Sequence, residues 1–109
     1  MNQVDVIALL NSLEDIPSFY GYAPVGTRVP FLVIHVTQPD NFLADDIVFT
    51  ENWHFRIDLY CSEKSPALEK EIKTLFRENH IVWSRTEDFL DDQGVYEVEF
   101  EFDVYGDEE

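Results

Sequence analysis

Glu97, Glu99, Glu101 and Asp103 occupy alternate positions of the segment Val95 to Tyr105. On an extended chain they share one face, with neighbours about 6–7 Å apart. Carboxylates so spaced can serve paired acid and base catalysis, or hold a cation. Their intervening residues argue for a plainer use. Tyr96, Val98, Phe100, Phe102 and Val104 alternate with them, the pattern of an antiparallel strand with one face in the core and the other solvated or paired across strands. Arg56 and Lys64 are the expected partners of the acidic face. Asp88, Asp91 and Asp92 do not follow the spacing of a loop that wraps oxygens around calcium.

The remaining reactive side chains are scattered. His35, His54 and His80 have no Cys or His neighbour at zinc-site spacing and read as strand-face or helix-end residues. Cys61, the only cysteine, falls on the apolar side of its segment and reads as a small buried hydrophobe. Ser12, Ser18, Ser62, Ser65 and Ser84 lie in no nucleophile elbow, and the four glycines stand singly, so none forms a phosphate cradle. The chain is expected to be no enzyme, with no cofactor and no bound metal.

The elements that carry these residues are clearest in the middle of the chain. Trp53, Phe55, Ile57, Leu59 and Cys61 alternate with His54, Arg56, Asp58 and Tyr60, which predicts a strand with one core face and one wet or paired face. Ser65 then suits a helix cap and Pro66 a first helical position. Leu68, Ile72, Leu75 and Phe76 form the apolar stripe of that helix. Upstream, Phe31 to Thr37 is a nearly continuous apolar run rich in β-branched residues, as in a strand covered on both faces. Val4, Ile7, Ala8 and Asn11, with Leu10 alongside, predict a short amphipathic helix ending before Pro17. Pro17 to Pro30 reads as an irregular connection, Asn41 to Asp46 as an exposed loop, Ile47 to Thr50 and Ile81 to Trp83 as short strands, and Glu87 to Asp92 as an acidic turn. The expected fold is α+β: a single domain over residues 1–109, with an antiparallel-dominated mixed sheet and two helices packed mainly on one face.

Composition narrows the partners. Seven basic against twenty-three acidic residues give a formal charge of −16, so the surface repels nucleic acid and anionic lipid. Nine Phe, five Tyr and two Trp argue for a packed core despite that charge. Met1 to Leu13 lacks the basic start of a secretory signal, and no segment approaches the roughly twenty apolar residues that span a bilayer. The protein is expected to stay in a reducing cytosol or to leave it by a route other than secretion, with no membrane partner. Trp53 is expected in the core. Trp83, the apolar pair Phe42 and Leu43 flanked by Asp45 and Asp46, and the aromatics Phe19, Tyr20 and Tyr22 are the candidates for contact with a partner.

Taken in order, a short N-terminal helix, Pro30 to Val33, Asn41 to Asp46, Trp53 to Tyr60, Lys64 to Glu69, and Val95 to Phe100 preceded by Trp83 and Glu87 form a pattern similar to a known family. It resembles the small tail terminator, or tail completion, proteins of long-tailed phages and prophages of low-GC Gram-positive bacteria, over nearly the whole chain. The chain departs from the family at Glu63, where a basic residue is common. The resemblance implies a ring, expected as a hexamer, on the head-proximal end of the tail tube in the virion. Such a ring caps growth of the tube protein and joins the head–tail connector protein after assembly in the host cytoplasm. No sequence-specific nucleic-acid binding is implied, and an acidic lumen would pass DNA without holding it. Two alternatives are a head-completion or connector protein, and an acidic DNA mimic that inhibits a basic host protein.

Overall fold

The computed structural model describes residues 3–37, 41–44 and 47–106, with backbone alone for 3, 41–44, 47–51, 105 and 106. Helix α1 (Gln3–Asn11) precedes the strands β1 (Ser18–Tyr20), β2 (Phe31–Thr37), β3 (Asn41–Ala44) and β4 (Ile47–Cys61). Helix α2 (Pro66–Glu78) and the strands β5 (Ser84–Leu90) and β6 (Val95–Gly106) complete the order. The strands form one six-stranded sheet in the order β1-β2-β4-β6-β5, with β3 paired to β4. All pairings are antiparallel except that of β1 with β2. The fold is thus an α+β single domain.

Register explains which residues reach the core. Ile57 lies opposite Ile34 on β2 and Phe100 on β6, while Leu59 lies opposite Leu32 and Val98. Successive side chains of a strand point to opposite faces. These residues therefore share the face on which Val6 and Leu10 of α1 and Ile72 and Phe76 of α2 pack, in one buried cluster. Phe55 and Phe102 stack across the pair with ring centroids 5.2 Å apart, and Phe76 lies 4.9 Å from Phe102. Cys61 is buried there, and desolvation, with Glu69 nearby, raises its thiol pKa.

The start and stop of α2 follow from local chemistry. Ser65 Oγ accepts from the Leu68 N–H, and Pro66 opens the first turn, where its missing N–H leaves no bond unmade. At the other end the Ile81 N–H reaches the Phe76 carbonyl at 2.9 Å, and that of His80 reaches Arg77 at 3.2 Å. This is a Schellman closure, with His80 at φ 59° in the place glycine usually takes. Ile81, 8% exposed, joins the core beside Phe76.

Several expectations need correction. On α1 the buried residues are Val6 and Leu10, whereas Val4 is 73% exposed. The segment is apolar on several sides, and the sheet selected the i, i+4 pair that could meet it. Residues 18–20, expected within an irregular connection, form β1 by parallel pairing with β2. Residues 41–44, expected in a loop, form β3 against β4, with a register shift between Phe42 and Leu43. Asp45 and Asp46 lie outside the described residues. Ile81 to Trp83 form no strand: Ile81 is taken up by the helix closure and the core, Trp83 packs partly against it, and Val82 between them is exposed. Strand β5 starts at Ser84 and takes in Glu87 to Leu90, expected as a turn. The backbone pairing with β6 overrode the polar composition of this segment.

Candidate functional site

The sheet has a second face. On β2 it carries Phe31, Val33 and His35; on β4 His54, Arg56, Asp58 and Tyr60; and on β6 Glu97, Glu99, Glu101 and Asp103. The acidic row is therefore paired across strands. Tyr60 stands opposite Glu97, Asp58 opposite Glu99, Arg56 opposite Glu101 and His54 opposite Asp103. Facing side chains at this separation interact directly. Tyr60 donates its hydroxyl to Glu97 Oε2 at 2.7 Å, and Thr86 of β5 donates to Glu99 Oε2 at 3.2 Å. His54 Nδ1 lies 2.9 Å from Asp103 Oδ1, with its Nε2 3.6 Å from Glu101. Arg56 Nε stands 4.0 Å from Glu99.

On a face expected to be wet or paired, Asp58 is paired and also buried. It is 1% exposed, because neighbours on three strands close over it. Its Oδ2 lies 3.1 Å from His35 Nε2 and 3.3 Å from Arg56 Nη2. Oδ1 lies 3.3 Å from Arg56 Nε, yet neither atom completes a hydrogen bond. Desolvation raises the Asp58 pKa; Arg56 opposes this, and Glu97 adds to it. Desolvation likewise pushes the Tyr60 hydroxyl far up, aided by its bond to Glu97. Tyr60 therefore stays a donor throughout the physiological range.

The Asp58 shift has a sign that can be checked. A carboxyl whose folded pKa exceeds its unfolded value lowers stability when ionised, and that penalty is relieved as pH falls through the folded pKa. Asp58→Asn should therefore be more stable than the native chain at neutral pH. The gain should shrink as pH falls toward about 4, near the unfolded carboxyl range. Urea unfolding across that interval measures it, and a gain independent of pH would contradict the burial argument.

Asp58, Glu97 and Glu99 bring carboxylate oxygens within 4.8 Å of one another. Oxygens so grouped suit a hard cation, but the Arg56 guanidinium already stands against Asp58 and compensates part of the charge. Sequence reading missed this group because the Asp58 and Glu99 pairing is a matter of register. Of the two expected cations, Arg56 faces the row. Lys64 does not, pairing with Glu87 at 3.2 Å and lying 5.7 Å from the Tyr96 ring centroid on the helix side.

Beside the charged row is an open groove of about 430 Å³. Its walls include Tyr22, Phe31, His35, Tyr60, Leu90 and Val95. The segment between β1 and β2 folds over this end of the sheet and contributes Gly21, Tyr22, Ala23, Thr27 and Val29. Phe31 stacks on Tyr60 at 5.1 Å, and Phe19 meets Phe31 edge-on at 6.1 Å. The aromatic group 19–22 is thus divided: Phe19 is half-buried in this stack, while Tyr20 and Tyr22 are exposed. Trp83 is elsewhere, partly buried against Phe76 with centroids 5.7 Å apart. Phe42 and Leu43 sit on β3, paired with Thr50 and Val48 of β4.

The structure therefore gathers Glu97, Glu99, Glu101, Asp103, Phe19 and Tyr22 on or beside one face and leaves Trp83 outside it. No protein-family model matches the chain, and no curated protein is significantly similar to it. Among the described residues, no helix is long and apolar enough to cross a membrane.

Proposed function

We propose that this protein is a structural component of a long-tailed phage, capping the head-proximal end of the tail tube and joining it to the head connector as a ring. The observation that carries the reading is the ordered resemblance over nearly the whole chain. Its segments correspond to coherent parts of the fold: Pro30 to Val33 opens β2, Trp53 to Tyr60 forms the part of β4 between β2 and β6, Lys64 to Glu69 caps and starts α2, and Val95 to Phe100 begins β6. The protein works by presenting surfaces, without catalysis. The 15-residue β4 supports this use. Its first part pairs with β3 and its later part with β2, so one strand links the helix-backed sheet to a separate hairpin.

In this reading the hairpin that carries Phe42 and Leu43 meets a neighbouring subunit, the tube or the connector. Six copies, each of formal charge −16, present an acidic passage to DNA. Phe42→Ser together with Leu43→Ser should leave the isolated domain folded and abolish tail completion in an add-back assay. Normal completion by that variant would remove the hairpin from the interface.

A further inference from the structure

We propose that the open face of the sheet is a docking site for a basic segment of a partner protein, whose arginine or lysine side chains lie between the 430 Å³ groove and the β6 carboxylates. The inference rests on this face alone and holds whether or not the protein caps a tail.

Charge complementarity favours such a partner. Among the described residues this face carries Asp58, Asp88, Glu97, Glu99, Glu101 and Asp103. Against them on the same strands stand Arg56 and the imidazoles of His35 and His54, so the sheet itself sets one permanent cation against six carboxylates. The carboxylates are also grouped: oxygens of Glu97 and Glu99 lie within 4.8 Å of those of Asp58. Arg56 and His35 stand against the buried Asp58, so an arriving cation meets the half-buried Glu97 and Glu99 beside it.

An aromatic wall stands beside the charges. Tyr60 joins the two regions, donating to Glu97 at 2.7 Å while its ring stacks on Phe31 in the groove. Aromatic faces attract guanidinium and ammonium groups and cover their aliphatic stems. Tyr22, 77% exposed, stands at the groove as a further ring. A segment with basic residues at alternate positions could match the alternate spacing of Glu97, Glu99, Glu101 and Asp103. Nucleic acid is repelled by the same charge.

The probe is a short fluorescent peptide alternating arginine with valine, titrated by anisotropy at physiological ionic strength. Binding should weaken about tenfold or more in E97Q/E99Q, since removing one side of a close charge pair acts on dissociation. The control E71Q/E78Q removes the same charge from exposed positions of α2 and should change affinity less than about twofold. If E97Q/E99Q does not fold by circular dichroism, E99Q alone carries the same comparison. Equal losses in the face variant and the control would show attraction to net charge only and overturn the proposal, as would no binding to the native chain. Calcium or manganese that binds through these carboxylates and displaces the peptide would also overturn it, in favour of a cation site.

Discussion

Phe76→Ala is expected to lower the unfolding free energy by about 3–5 kcal/mol, the range for emptying a fully enclosed aromatic site. Phe76 is 1% exposed, and its ring lies 4.9 Å from Phe102, 5.7 Å from Trp83 and 5.8 Å from Phe100. Those neighbours belong to β6 and to the segment after α2, so they cannot collapse into the void without moving the helix. The loss is a large share of the roughly 5–15 kcal/mol that holds a domain together. Urea denaturation measures it. A loss below about 1 kcal/mol would mean that α2 is not seated on the sheet through this ring.

Arg85→Ala should cost about 1–3 kcal/mol, because it strands the Glu69 carboxylate that α2 turns toward the sheet. Arg85 Nε donates to Glu69 Oε1 at 2.7 Å and its Nη2 to Glu87 Oε1 at 2.8 Å. Glu69 is 8% exposed, and Lys73 approaches it only to 3.9 Å. The bond to Glu69 raises the Arg85 pKa, and Arg85 in turn lowers that of Glu87. Arg85 is itself about a third exposed, so screening keeps the loss below that of a sealed ion pair. Residues 84–89 are exposed, which makes this tie a main side-chain anchor of β5. Hydrogen exchange of the β5 amides should therefore quicken more than global unfolding explains. A double-mutant cycle with Glu69→Gln gives the coupling, and additive losses would contradict the pairing.

The legible parts of the fold were those where local and tertiary preferences agree. Ser65 and Pro66 cap α2, and the alternation in β6 places Val98, Phe100, Phe102 and Val104 in the core. Strand β5 was illegible because its sequence, Ser-Arg-Thr-Glu-Asp-Phe-Leu, has no buried alternation for a period to reveal. Its β-structure comes from β6, more than the sequence of β5 itself. On α1 the abundance of apolar residues hid the face, since Val4, Val6, Ile7 and Leu10 permit more than one stripe. The acidic row of β6 was legible as a solvated or paired face; of its two expected partners, Arg56 faces it and Lys64 pairs with Glu87 instead. The burial of Asp58 was not legible, because it depends on His35 and Glu99 arriving from β2 and β6. The groove was hidden for the same reason, its walls coming from segments distant in sequence.

These features connect the fold to the proposed role. Helices seal one side of the sheet, while the other offers aromatic and acidic groups. The hairpin of β3 and β4 offers a further edge. A ring subunit needs separate surfaces for its neighbours and for the structures it joins. The acidic face and the hairpin can be altered independently, because their residues lie on different parts of β4.

Electron microscopy of tails assembled with and without this protein, followed by addition of the purified chain, tests the capping role most directly. Tails made without it should be overlong or lack heads, and the added chain should restore normal length and joining. Tails of normal length joined to heads in its absence would contradict the capping role.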